Sequence, residues 1–196
     1  MLVREVMTRE PVTARRETHV KQALRLLDLH SITMLPVVAA DSRIVGVLSE
    51  ADVIRDRVLP DVRGSMLPPD TSHTDEARET VGAVMTPRAI TVTADADVVE
   101  ATDLMLSTGV KSLPVVDEEH RVVGIVSRRD IVRALARRDV DVERELDALF
   151  CDLGVSWEVT AEEGAVTIRG PEGPKERSLA VAAASTVSGV VHVRIE

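Results

Sequence analysis

The chain is nearly without aromatic side chains: its 196 residues include one Phe, one Trp and no Tyr. A planar ligand therefore has to be held mainly between Val, Ile, Leu and Met. Single-stranded nucleic acid, usually bound on aromatic stacking platforms, fits such a chain badly. Positive charge is also short. The formal net charge is −9 at pH 7, whereas binding a phosphate backbone needs clustered basic surface to release counterions. No nucleic-acid partner is expected. One local exception lies at residues 121–138, where Arg121, Arg128, Arg129, Arg133, Arg137 and Arg138 are set against the lone acid Asp130. Its plainer reading is a solvated helix face, its sharper one an anion-binding surface.

Cys151 is the only cysteine, which excludes a disulfide within the chain and fits a reducing compartment. The opening Met1-Leu2-Val3-Arg4-Glu5 lacks the basic start and apolar run of a signal peptide. The longest apolar stretch, from Leu179 to Val193, is interrupted by Ser185, Thr186, Ser188, Gly189 and His192, too short and too polar to span a bilayer. A cytoplasmic location is expected.

What the chain does have is an internal repeat. Val6-Met7-Thr8 returns as Val84-Met85-Thr86, and at the same offset Leu35-Pro36-Val37-Val38 returns as Leu113-Pro114-Val115-Val116. Residues 3–56 align on 81–134 without a gap, with 18 of 54 positions identical. Each copy predicts an extended piece (Pro11-Val12-Thr13, then Ala89-Ile90-Thr91) and a helix. On the first helix Val20, Ala23, Leu24 and Leu27 make one apolar face, matched by Val98, Ala101, Thr102 and Met105 on the second. Two β-branched strands follow at 34–39 and 43–48, and again at 112–117 and 121–126. A last helix begins near Glu50 and near Arg128, with Val53, Ile54, Ile131, Val132 and Leu135 expected inward. The unit is β-α-β-β-α, and about 55 residues is marginal alone, so the two copies are expected to pack around a pseudo-two-fold axis. Residues 1–60 and 81–138 are the repeats, and 61–80 are a polar linker with a helical turn expected at Asp75–Thr80.

Each repeat closes on Gly-φ-φ-Ser-x-x-Asp, where φ is apolar: Gly46-Val47-Leu48-Ser49-Glu50-Ala51-Asp52 and Gly124-Ile125-Val126-Ser127-Arg128-Arg129-Asp130. Ser before a helix with an acid three residues on is close to a capping box. The same geometry leaves N–H groups for a phosphate and an Asp for the two hydroxyls of a ribose. The two roles are compatible.

The Val-Met-Thr opening, the apolar-Pro-Val-Val strand and this doubled ending together resemble a tandem pair of cystathionine-β-synthase (CBS) domains, over residues 1–138. The resemblance implies two clefts between the paired repeats for AMP, ADP, ATP, S-adenosylmethionine or related regulatory ligands, with no further cofactor required. It also implies homodimers of pairs, parallel or antiparallel. One cleft would use Val47, Ser49 and Asp52 with Ile90, Thr91, Val110, Lys111 and Pro114. There Asp52 would grip the ribose, Ile90 and Val110 would flank the base, and Lys111 would face phosphate. The other would use Ile125, Ser127, Arg129 and Asp130 with Val12, Thr13, Ile32, Thr33 and Pro36. Thr33 stands there at the family's frequently basic position, with Arg128 or Arg129 as substitutes. Ile90, Val110, Val12 and Ile32 serve equally well as core residues.

His19, His30, His73, His120 and His192 are scattered, with no pair at metal-ligand spacing. No Ser-His-Asp or Cys-His set can be assembled, so neither a metal site nor catalysis is expected. From residue 139 the pattern changes. A helix over 139–153 carries Val142, Leu146, Leu149 and Phe150 on one face. Strands follow at 155–160 and 165–169 around a Glu162-Glu163-Gly164 turn. Gly173-Pro174 opens a helix with Leu179, Ala182, Ala183 and Val187 as its inner stripe, Gly189 ends it at C′, and 190–195 is a last strand. Through Glu163–Gly170 and Gly189–Val193 this α-β-β-α-β segment resembles a BON domain, a module linked to lipid or partner attachment. Trp157 reads as a packing residue.

The whole is therefore an α+β chain, two CBS-like repeats followed by a BON-like domain over 139–196. The leading expectation is a non-catalytic sensor of an adenosine-bearing molecule that signals to a protein partner through its C-terminal domain. The alternative is a structural or interaction module with empty or self-filled clefts, docking a protein or lipid partner. Lipid is the less favoured, because only Lys175 and Arg177 supply basic charge near the start of the last helix.

Overall fold

The structure is a computed structural model and describes residues 1–57 and 80–196. The expected linker and its helical turn lie outside the described residues except for Thr80. In chain order the first repeat forms α1 (Val3–Val6), β1 (Thr8–Arg9), α2 (Val20–Leu29), β2 (Met34–Val38), β3 (Ile44–Ser49) and α3 (Glu50–Arg57). The second forms α4 (Val81–Val84), β4 (Thr86–Pro87), β5 (Val92–Thr93), α5 (Val98–Thr108), β6 (Ser112–Val116), β7 (Val122–Ser127) and α6 (Arg128–Leu135). Then come α7 (Asp139–Asp152), β8 (Glu158–Glu162), β9 (Ala165–Arg169), α8 (Gly173–Ala184) and β10 (His192–Ile195). No described helix is long and apolar enough to cross a membrane.

Two compact units result. One, the double-sheet unit, comprises Thr8–Ala94 and Thr108–Ile125; the other, the C-terminal unit, comprises Met1–Met7, Asp95–Ser107 and Val126–Glu196. Each repeat contributes residues to both.

In the double-sheet unit the repeats exchange strands. The order β1-β7-β6-β5 in one sheet is answered by β4-β3-β2 in the other, to which Ala14 adds a parallel bridge at Val37, as β5 adds itself to β6. Pro87 pairs with Gly46 and Arg9 pairs with Gly124, the same contact with the repeats interchanged. The hairpin tips are bonded in the same reciprocal way: the Ile44 N–H donates to the His120 carbonyl at 3.0 Å, and the Val122 N–H to the Ser42 carbonyl at 3.1 Å. Left-handed backbone also recurs in register, at Glu10 and Arg88, at Ser31 and Gly109, and at Ser42 and His120. Each short repeat thus covers the other's strand edges, which a single copy would leave open to solvent.

The core of this unit gathers Val20, Ala23 and Leu27 from α2 with Leu35, Val37, Leu48, Val53, Val81 and Met85. All five residues of β2 are buried, as a near-continuous apolar run predicts for a strand covered on both faces. The pairing expected at 11–13 and 89–91 falls slightly later, at Ala14 and at Val92–Thr93. The inward set on the last helices needs correction: Val53 is buried, whereas Ile54 is 58% exposed, Val132 is 62% exposed and Leu135 is exposed too. An eight-residue helix buries one narrow stripe, and in α6 that stripe is Asp130 and Ala134.

In the C-terminal unit α7 and α8 lie on the three-stranded sheet β10-β9-β8, with β10 parallel and β8 antiparallel to β9. Val142, Leu146 and Phe150 of α7 meet Val166, Ile168, Ala180, Ala184, Val187 and Trp157 in one core. Phe150 and Trp157 pack edge to face, ring centroids 5.1 Å apart. The expected α-β-β-α-β order is present, with the outer strands beginning at Glu158 and His192. Val187 is buried as expected, but within α8 the inner stripe is shifted by one residue: Ala180 and Ala184 are buried, while Leu179 and Ala182 are exposed and Ala183 is half-buried. Alanine lets the helix backbone lie close to the sheet, so a small residue takes the place a hydrophobicity count gives to leucine. Gly189 does not cap α8, which ends at Ala184 with Ser185 as C-cap. It sits in the turn before β10 with φ +94, where a Cβ would come within 3.0 Å of Val142 Cγ2.

Candidate functional site

The β3–α3 junction fixes the first polar group. Ser49 ends β3 in extended backbone and turns the chain into α3. The Ser49 N–H and Oγ–H both donate to Asp52 Oδ2, at 2.8 and 2.6 Å, and the Asp52 N–H donates to Ser49 Oγ at 3.3 Å. The capping geometry read in the sequence is formed, and it occupies one carboxylate oxygen only. The other, Oδ1, accepts the Thr86 hydroxyl at 3.0 Å. Pairing of β4 with β3 puts Thr86 opposite Val47 and so within reach of that oxygen.

A cavity of about 440 Å³ opens beside this carboxylate, wholly within the double-sheet unit. Of the eight residues expected for the first cleft, Val47, Ser49, Asp52, Ile90, Val110, Lys111 and Pro114 line it. Thr91 does not; it is half-buried in the residue before β5. Thr33, assigned in the sequence to the other cleft, lines this one, and its carbonyl accepts the Glu50 N–H at 3.1 Å. Sequence reasoning missed Glu50, Arg55 and Thr86 on the same wall. Asp52 and Arg55 are one helical turn apart, and Thr86 belongs to the repeated Val-Met-Thr, so both signals were present unread. Lys111 Nζ stands 3.9 Å from Glu50 Oε2 across the cavity wall.

The residues expected for the second cleft fall in different units, and each is placed within its own. Val12, Thr13, Ile32, Thr33, Pro36 and Ile125 belong to the double-sheet unit, where Val12 and Ile32 pack partly buried against the hydrophobic core. Ser127, Arg129 and Asp130 belong to the C-terminal unit. Ser127 and Asp130 repeat the capping box, with the same oxygen taken at 2.9 and 2.6 Å. Here the outer oxygen is held by Arg133 Nη1 at 3.2 Å and Asp130 is buried.

The arginine cluster is largely spent on internal contacts. Arg128 donates to the Met105 carbonyl at 2.7 Å, Arg137 pairs with Glu145 at 2.8 Å, Arg138 with Asp141 at 2.8 Å, and Arg121 with Asp117 and Glu119. Arg128 is therefore engaged, while Arg129 is exposed. Among the described residues no group of three or more His, Cys, Asp or Glu is placed to hold a metal ion.

Comparison with known proteins gives the same frame. The family model described as CBS domain matches residues 3–58 and 81–137. A CBS domain-containing protein of Dictyostelium discoideum is 31% identical over 139 residues, covering 70% of this chain and 92% of its own length. The crystal structure of the CBS domain pair of protein MJ0100, in complex with 5′-methylthioadenosine and S-adenosyl-L-methionine, is 27% identical with a TM-score of 0.55. It covers 68% of this chain and 98% of that one. A structure of CBSX2 in complex with AMP is 28% identical, also with a TM-score of 0.55, covering 68% of this chain and 94% of that one. The chain spans 22% of the length of one curated relative and 92% of another.

Proposed function

Since the chain belongs to the CBS domain family, we propose that it is a non-catalytic sensor, binding an adenosine-bearing molecule beside Asp52 and signalling its presence to a partner. CBS pairs are generally regulatory modules. The observation that carries the reading is the cavity: its volume lies within the roughly 300–1,000 Å³ of small-molecule sites, and its walls set Val47, Ile90, Val110 and Pro114 beside the Asp52 carboxylate. In this reading Asp52 Oδ1 accepts a ribose hydroxyl, Ile90 and Val110 hold the base between aliphatic faces, and Lys111 meets the charged end of the ligand. In the C-terminal unit Asp130 is read as the poorer ribose acceptor, because Arg133 already holds its outer oxygen. The ligands bound by the MJ0100 pair and by CBSX2 support the choice of AMP, ADP, ATP or S-adenosylmethionine as the class.

The C-terminal segment is read as a BON-like module that docks a protein partner, with lipid less favoured. The exposed Val99 and Leu106 of α5 and Val132 and Leu135 of α6 favour a homodimer formed through the helices of the repeats, in the cytoplasm. The test is a melting-temperature screen with AMP, ADP, ATP, NAD(H) and S-adenosylmethionine. A ligand at 100 times its Kd adds about 2.7 kcal/mol of stability, and Asp52→Ala together with Asp130→Ala removes the shift. No shift with any of them rejects the sensor and leaves a structural module with self-filled clefts.

A further inference from the structure

We propose that the open edge of β10 docks an extended segment of a protein partner, one whose residues alternate between acidic and apolar and which pairs antiparallel as a fourth strand. The proposal rests on the reading of the C-terminal segment as a docking module, and gives that module a surface and a partner chemistry.

The two edges of the β10-β9-β8 sheet differ. On β8 the Ala161 N–H points away from β9 and donates to Glu143 Oε1 at 2.7 Å, and Asp139 takes both N–H groups of the adjoining turn. Carboxylates thus guard that edge against pairing. On β10 the N–H groups of His192 and Glu196 face β9, donating to the carbonyls of Gly164 and Ile168 at 3.3 and 3.0 Å. Alternation along the strand turns those of Val193 and Ile195 the other way. Among the described residues no acceptor meets them.

The two faces of β10 fix what an added strand carries. Val193 and Ile195 are half-buried and pack against the core of the unit, so the residues opposite them are apolar. His192 and Arg194 lie exposed on the other face. Arg194 sits level with Thr167 of β9 and, through it, with Thr160 of β8, so its row holds no carboxylate. Glu196, next on that face, is taken by Arg169 at 2.7 Å. An acid opposite Arg194 supplies the missing counter-charge, and one opposite His192 a hydrogen-bond acceptor. A second copy of β10 fits badly. Antiparallel pairing about Arg194 sets arginine against arginine, pairing about Val193 sets His192 against Arg194, and pairing about Ile195 asks for the Glu196 that Arg169 already holds.

The experiment adds a capped peptide of alternating glutamate and valine, roughly seven residues as in an ordinary strand, to the isotopically labelled full chain and follows its amide resonances. Binding is expected to shift the Val193 and Ile195 N–H signals and to slow their exchange with solvent. It is expected to be about fivefold or more tighter than for the same peptide with lysine in place of glutamate, since a cross-strand charge pair changes sign. Arg194→Glu, at an exposed position, reverses that preference. N-methylation of the peptide's valines, whose amides face β10 in an antiparallel pair, abolishes binding. Val193→Pro removes an outward donor without touching a bond to β9 and has the same effect, with circular dichroism checking the fold. Equal binding of both peptides, binding that survives valine methylation, or no binding overturns the proposal. So does self-association of the chain that Val193→Pro dissolves, because a second copy then holds the edge. Photo-crosslinking side chains placed in turn at the exposed Glu196, Asp147 and Ser178 in cells separate the two readings. Adducts from Asp147 or Ser178 without one from Glu196 overturn the edge and keep the docking module, whereas no adduct from any of them rejects both.

Discussion

The hydroxyl of Thr86 donates to Asp52 Oδ1 at 3.0 Å, joining the opening of the second repeat to the closing motif of the first across 34 positions of sequence. The bond holds the carboxylate oxygen that the Ser49 cap leaves open. Thr86→Val removes the donor with little change of shape. Because the contact is solvent-exposed, the expected loss is about 1 kcal/mol of unfolding free energy in urea, at the modest end for a bond to a charged group. In a ligand titration the same variant binds more weakly, since Asp52 loses its orientation.

Gly46 has no room for a side chain under the exchanged strand β4. A Cβ there would lie 2.7 Å from the Thr86 carbonyl oxygen and 3.0 Å from Met85 Sδ. The first neighbour is backbone and cannot turn aside. Gly46→Ala is expected to lower stability by about 1–3 kcal/mol, as overpacking does, read as a fall in the denaturation midpoint.

Asp139, at the start of α7, holds the β8–β9 turn. Its two carboxylate oxygens accept the N–H groups of Glu163 at 2.8 Å and Gly164 at 2.9 Å. Both turn residues have positive φ, 50° and 76°, as a type I′ hairpin requires. Asp139→Ala leaves two donors without their acceptor and is expected to cost about 2 kcal/mol. Trp157 fluorescence reports it directly, because the only tryptophan lies in that core.

The ion pairs of Asp141 with Arg138 and Arg144 predict a pH dependence. Hydrogen bonds from Arg138, and the charges of Arg138 and Arg144, hold the Asp141 carboxyl below its ordinary value of 3.8. A carboxyl whose pKa is depressed by folding contributes stability above its unfolded pKa and loses it as pH falls through the folded one. Asp141→Asn is therefore expected to lower Tm at pH 7, and the gap to the parent closes as pH drops below about 3.8. Melts over pH 2.5–7 at low salt, roughly 10 mM so that screening is minimal, measure it.

The register of α8 is tested by two neighbours. Leu179→Lys is expected to change stability by less than about 0.5 kcal/mol, as at other exposed positions. Ala180→Leu, in the buried stripe, costs about 1–3 kcal/mol through overpacking. The opposite ranking would restore the stripe that hydrophobicity alone suggests.

What the sequence by itself determined is what repeats or alternates along the chain. The 78-residue register, the strands at 34–38 and 112–116, the face of α2 and both capping boxes depend on neighbours within one turn or one strand, and all are found. Tertiary structure decided what spacing leaves degenerate. In α8, Leu179 and Ala180 lie on adjacent stripes, and only the closeness of the sheet selects the smaller residue. In α3 and α6 the apolar Ile54, Val132 and Leu135 could each have faced inward, but a two-turn helix has room to bury one stripe. The charge pattern of the cavity was also beyond local reading. Asp52 meets Thr86 because β4 crosses to the other repeat's sheet, and Glu50 meets Lys111 of the second repeat. Two copies of one motif thus acquire different surroundings: the outer oxygen of Asp52 meets a hydroxyl at an open cavity, and that of Asp130 meets an arginine.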